Sequence, residues 1–181
     1  MKYLVETRLV DLAKVIFCDS DIRLNSKLDR FRPDIFIVDK NLIIEFDGPR
    51  HFTNSKVVLR DYKIDKYVCN NNLNIIHVPY FVQISEDIYN LLFSSYKKLN
   101  DNIRNILVEY MYPHGFIDKK APLPADFCSI GIERFEYMLD YYSIIKKDII
   151  QSMNNQVNVG KDILEVYPLN KREYYNAFKK K

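Results

Sequence analysis

Two short stretches carry carboxylates where apolar residues dominate. Pro33-Asp34 opens the run Asp34-Ile35-Phe36-Ile37-Val38, and Glu45-Phe46-Asp47 closes the run that begins Leu42-Ile43-Ile44. Residues two apart in a strand point to one face, so Glu45 and Asp47 project together, and antiparallel pairing of the two runs brings Asp34 toward them. Like charges in a low-dielectric setting raise one another's pKa and cost stability unless a cation neutralises them. Three converging acids are therefore expected to hold a hard metal ion, Mg²⁺ or Mn²⁺, which favour oxygen ligands. The plainer alternative is ordinary ion pairing with Arg30, Arg32, Arg50 or Arg60. It suits any one acid better than it suits the three together.

His51 follows a few residues later, close enough for an imidazole to accept the proton of an activated water. Taken alone it reads as a loop histidine; beside three acids the catalytic role is preferred. Gly48, between acids and histidine, reads as a turn glycine that also permits close backbone approach. Lys56, Arg60 and Lys63 recur at steps of four and three, a cationic helix face able to meet phosphates or simply to stay solvated. His77 lies in an apolar strand and His114 in Pro113-His114-Gly115. Neither is assigned chemistry.

These residues need a scaffold. Val5, Leu9, Leu12 and Ile16 form one helical face within residues 3–17, with Glu6 at the edge of that stripe. Residues 19–32 read as a polar loop. The two acid-bearing runs, joined by Asp39-Lys40-Asn41, read as an antiparallel hairpin of two central strands. A helix over about 54–71 and a strand over 73–78 suggest a crossover onto the same sheet, and so an α/β fold. Beyond Ser85 the chain is expected to be mostly helical, in segments to Leu99 and over 102–110, followed by a proline-bearing loop over 112–127. Ile132, Phe135, Leu139, Tyr142 and Ile149 then fall on one helical face. The long amphipathic segment Ile130 to Met153 reads as core packing, or as a partner-binding surface.

The composition agrees with a folded domain. The 181 residues are 48% hydrophobic and 14% aromatic, which excludes a disordered chain. No apolar run is long enough to span a bilayer and no signal-type block follows Met1, so an intracellular protein without membrane contact is expected. Three cysteines, without a C-x-x-C pair, support neither a disulfide framework nor a zinc site. A net charge of +3 permits nucleic-acid binding without demanding it. The end of the chain mixes Lys171, Arg172 and Lys179 to Lys181 with Tyr174, Tyr175 and Phe178, which reads as a nucleic-acid grip or a frayed basic terminus.

Taken together, Arg32-Pro33-Asp34-Ile35, Ile44-Glu45-Phe46-Asp47-Gly48, His51 and Arg60-Asp61 resemble the PD-(D/E)XK nuclease superfamily. The resemblance covers roughly residues 4–84 and is nearest to the branch of very-short-patch-repair endonucleases, where E-x-D-G-x-x-H follows the paired strands. It implies a restriction-endonuclease-like core over 1–85, a mixed sheet flanked by helices, and a mostly helical region over 86–181. It implies Asp34 and Glu45 as Mg²⁺ ligands, the Phe46 carbonyl as a backbone ligand and Glu6 as an outer ligand. Asp47 departs from the superfamily, which mostly has lysine there. Asp47 is then expected to join the metal site, with His51, or Lys63 slightly ahead of Arg60, taking the lysine's role. Gln83 sits where related families often carry a polar residue near the site. The implied activity is metal-dependent endonucleolytic cleavage of DNA. The alternative is a degenerate nuclease fold that only binds nucleic acid. Homodimerisation through residues 86–181, and repair, restriction, phage-borne or defence roles, all stay open.

Overall fold

A computed structural model describes residues 4–108, 114 and 122–154. The basic and aromatic end of the chain and most of the proline-bearing loop lie outside the described residues. The first helix, α1 (Glu6–Ile16), buries Leu9, Leu12 and Ile16, three of the four positions of the expected stripe. Val5 departs from it: it caps the helix in an extended conformation and is 45% exposed.

The sheet contains β1 (Ile22–Leu24), β2 (Ile35–Ile37), β3 (Leu42–Asp47) and β4 (Asn74–Pro79), in that spatial order. β1–β2 and β2–β3 are antiparallel and β3–β4 is parallel, so the hairpin strands are both central. β1 lies within the stretch read as a loop. Its three residues are half-buried or exposed and carry no apolar run, so the free edge of β2 rather than local pattern makes it a strand. The hairpin turn is a 3₁₀ turn, Val38–Lys40, closed by Asn41 at φ 50°, a left-handed conformation that asparagine tolerates.

After β3 come α2 (Arg50–Thr53) and α3 (Ser55–Asn70), the latter capped by the Asn54 side chain accepting from the Lys56 N–H. α3 is the crossover that returns the chain to β4 parallel to β3. Beyond β4 the described residues form α4 (Glu86–Phe93), α5 (Asp101–Leu107), α6 (Ser129–Tyr141) and α7 (Lys146–Asn154). The segment read as one helical face is thus two helices separated by a 3₁₀ turn at Ser143–Ile145. Its five apolar positions are buried all the same, because each helix turns its own stripe inward. No described helix is long and apolar enough to cross a membrane.

Alternation along the strands divides the apolar residues between two sides. Ile44, Ile76 and Val78 join Leu9, Leu12 and Ile16 of α1, and also Phe93, Phe135, Tyr142 and Ile149, in one large cluster that runs from Leu4 to Met153. Ile43 points the other way, onto Ile64 and Val68 of α3 with Phe31. Glu45 and Asp47 share the Ile43 side.

Gly48 is not required by crowding. A Cβ there would meet only the Phe46 ring, at 3.8 Å. Gly131 is different: a Cβ on it would lie 1.8 Å from the Phe52 carbonyl oxygen, so α6 can lie against α2 only because that residue has no side chain. Phe52 O also accepts the Cys128 N–H at 3.1 Å, which anchors the start of α6. Gly131→Ala is expected to lower stability by about 1–3 kcal/mol through overpacking against backbone. Its urea midpoint checks this, with Gly48→Ala as the near-neutral control.

Candidate functional site

Strand register explains how the acids meet. Ile35 pairs with Ile44, so Asp34 stands at the position facing Glu45, and Asp34 Oδ2 accepts the Phe46 N–H at 2.8 Å. Glu45 in turn pairs with His77 across the parallel strands. α3 runs over this face and contributes Asp61 and Asp65, one turn apart.

Asp47 is fully buried and ionised. Its Oδ2 accepts from Arg134 of α6 at 2.7 Å and its Oδ1 from His77 Nδ1 at 3.1 Å. Burial would raise its pKa, but the charges of His77 and Arg134 outweigh burial and hold the carboxyl well below the usual range. The other His77 nitrogen donates to Asp65 Oδ1 at 2.8 Å. Carboxylates accept only, so both partners select the doubly protonated ring. Burial would lower the His77 pKa; the Asp47 charge and the two hydrogen bonds override it and lift the imidazole to about 10.

Glu45, two residues before Asp47 on the same face, has less relief: the charge of His77 lowers its pKa, but it forms no ion pair among the described residues. It is 6% exposed and its Oε1 has no hydrogen-bond partner. Burial, and then the charge of Asp34, push its carboxyl up to about 8. Burial also raises Asp34, partly offset by the Phe46 N–H, and the Glu6 charge adds to the rise. Among the described residues neither Asp34 nor Glu45 has an ion-pair partner, although Asp47 and Asp61 do. None of Arg30, Arg32 and Arg50 neutralises the acids; Arg30 instead lies over the Phe31 ring.

His51, on α2, points its Nδ1 at Asp61 Oδ2, 2.6 Å away, and lies 3.4 Å from Asp47 Oδ1. The bond to Asp61 fixes the Nδ1–H tautomer and leaves the Nε2 lone pair available. Asp47, His51 and Asp61 also bring one ligand atom each within 4.8 Å of one another, a spacing that a metal ion can bridge.

The remaining expected residues are placed as follows. Glu6 is exposed on the first turn of α1, within electrostatic reach of Asp34. The Phe46 carbonyl accepts the Gly48 N–H at 3.0 Å, which occupies one of its two lone pairs. Lys56, Arg60 and Lys63 are exposed along α3, and Arg60 Nη2 pairs with Asp61 at 3.0 Å. Lys63 forms no ion pair among the described residues, so the cation that meets Asp47 is Arg134 and not a lysine of α3. Gln83 is buried, its Oε1 accepting the Leu4 N–H at 3.0 Å, and so tethers the chain ahead of α1.

Sequence reasoning missed Arg134, Asp65 and the role of His77. The register Glu45↔His77 carries the signal for His77, since a histidine beside a buried acid is a partner and not an apolar filler. Arg134 has no comparable signal: it lies 87 residues from Asp47 along the chain. Comparison with known protein families, with curated proteins and with solved structures finds no match to this chain.

Two outcomes follow for the metal-free protein. Arg134→Met leaves Asp47 buried beside one fewer cation, and a loss of about 3–5 kcal/mol is expected in chemical denaturation. Glu45 holds its proton in the folded state between the ordinary value of 4.5 and about 8, where the unfolded chain has released it. Folding then binds a proton, so this group subtracts stability as pH rises through that window and subtracts all of it above about 8. Relative to wild type, Glu45→Gln is expected to gain roughly 3–5 kcal/mol between pH 5 and 8, at about 1.4 kcal/mol per tenfold change in proton affinity. Denaturation at the two pH values reads this difference directly.

Proposed function

We propose that the protein is a metal-dependent endonuclease that hydrolyses DNA phosphodiester bonds, with a core of the restriction-endonuclease type. The observation that carries this reading is Glu45: a carboxylate buried in a central strand, without a partner at Oε1, beside Asp34, which accepts the Phe46 N–H but has no cation partner among the described residues. The fold retains two acids that destabilise it, and a divalent cation is the group that would neutralise both. The donors of Asp34, Glu45 and the Phe46 carbonyl are all oxygens, which suits Mg²⁺ or Mn²⁺. Asp34 and Glu45 would hold the ion, with the free lone pair of the Phe46 carbonyl beside them and Glu6 as an outer acid. Asp47 is committed to Arg134 and His77 and serves as the anchor of the site.

When bound, the cation supplies Lewis-acid stabilisation of charge on the phosphate and makes a water more acidic. The chain's own residues do the rest. His51 Nε2 takes the proton from the attacking water, and Asp61 stabilises the imidazolium that results and holds the ring in place. The water oxygen bonds to phosphorus, the bond to the 3′ oxygen breaks, and that oxygen takes a proton from solvent. Lys56, Arg60 and Lys63 draw the flanking phosphates along α3.

One observation favours a second reading. Asp47 stands where the superfamily has lysine, and the cation beside it is consumed in neutralising it. A nucleic-acid-binding module that does not cut would tolerate this. Plasmid, mismatched and single-stranded DNA incubated with Mg²⁺, with Mn²⁺ and with chelator separate the two. Metal-dependent products are expected, reduced at least about 100-fold in Asp34→Asn, Glu45→Gln and His51→Ala. Full activity in Glu45→Gln or in chelator overturns the nuclease. Tight metal-independent binding without products selects the binding module.

A further inference from the structure

Alongside the acid cluster, a cleft of about 540 Å³ runs between α3 and α6, with Ile75 and His77 of β4 at its floor. That volume is in the range that small organic ligands occupy. Its walls hold Tyr62 from α3 and Tyr137 and Tyr141 from α6. All three are substantially exposed, Tyr137 at 65%. Tyrosine faces grouped in one recess, near a candidate nucleic-acid site, offer stacking surfaces for a flat ring.

The polar groups narrow the ligand. Asp65 lines the cleft, its side chain 37% exposed and held in place by His77 at Oδ1. Glu133 also lines it. Asp65 and Glu133 face Arg134 and the His77 imidazolium, so the recess has no net charge to attract a phosphate and its acids favour a neutral ring that donates N–H groups. Arg134 lines the same cleft, and its Nη1, 3.9 Å from Asp65 Oδ2, makes no hydrogen bond among the described residues, so a donor remains for a carbonyl. Adenine offers no carbonyl, and thymine and cytosine lack adjacent N–H donors. Guanine has both: N1–H and N2–H₂ side by side match one carboxylate, and O6 beside them accepts from a guanidinium.

We propose that the α3–α6 cleft is a pocket for a single unpaired nucleobase, guanine in preference, stacked on its tyrosines and read by Asp65 and Arg134. The proposal rests on the nucleic-acid reading of the neighbouring site and adds to it the form of the substrate: a strand with a base out of its stack. Asp65 and Arg134 also touch His77, and Arg134 touches Asp47, so the pocket and the acid cluster share one rigid network.

The test measures equilibrium binding of duplexes carrying a one-nucleotide bulge, with the Glu45→Gln protein in chelator so that nothing is cut. Bulged guanine is expected to bind about tenfold or more tightly than a bulged abasic site. Inosine, which lacks the 2-amino group, should fall between them. Asp65→Asn should erase the preference of guanine over inosine. Tyr137→Ala, at a surface position that leaves the fold intact by thermal melting, should bring guanine down to the abasic level. Equal affinity for guanine and the abasic site, no measurable binding of either, or full guanine preference in Tyr137→Ala overturns the pocket. Wild-type plasmid cleavage, run in parallel, keeps the two readings apart. Cleavage with no base preference removes the pocket alone. Base preference without metal-dependent cleavage removes the nuclease and leaves the pocket as part of a binding module.

Discussion

The structure turns on one buried charge. Asp47 ends the central strand β3 with no exposure to solvent, and an isolated carboxylate there would cost several kcal/mol. Arg134 and His77 make it tolerable by approaching from different elements, α6 and β4. Because α3 supplies Asp65 to the far side of His77, the same network ties helix to strand. Displacement of any of these elements would strand a charge in a dry environment, so the network resists loosening more than its hydrogen bonds alone suggest.

Against that background the contrast along β3 is informative. Asp47 and Glu45 lie on the same face, two residues apart, yet Asp47 pairs with two cations while Glu45, although the charge of His77 reaches it, forms no ion pair among the described residues. Their pKa values move in opposite directions for that reason: paired cations lower Asp47, while burial and the Asp34 charge raise Glu45. Separated titration of neighbouring acids is what divides structural from chemical duty in many sites. Here Asp47 is neutralised, whereas Asp34 and Glu45 have no ion-pair partner among the described residues. His51 stands between the two groups, its ring held by Asp61.

The helices beyond β4 are therefore more than a cover. α6 shares the large apolar cluster with α1 and the sheet, and Gly131 lets it approach the backbone at Phe52. That close approach sets α6 beside α3, and Arg134 reaches the sheet from it. It also forms the cleft whose tyrosines face solvent. One packing contact thus governs both the charge balance of the acids and the shape of the neighbouring recess.

Much of this was legible locally. The branched and aromatic runs 34–38 and 42–46, separated by Asp39-Lys40-Asn41, mark the hairpin, and the spacing of Glu45 and Asp47 puts both acids on one face without further information. The helical stripe of residues 9, 12 and 16 and the crossover helix follow from periodicity as well. The short strand Ile22–Leu24 does not, because three half-exposed residues carry no period and only an open strand edge recruits them. Nor do the electrostatics of the site. Local pattern tells which side chains share a face, and so shows that the acids converge. It says nothing of which cation arrives from a helix 87 residues away, and that contact, together with the His77 pair, separates the neutralised Asp47 from Glu45, whose Oε1 has no partner.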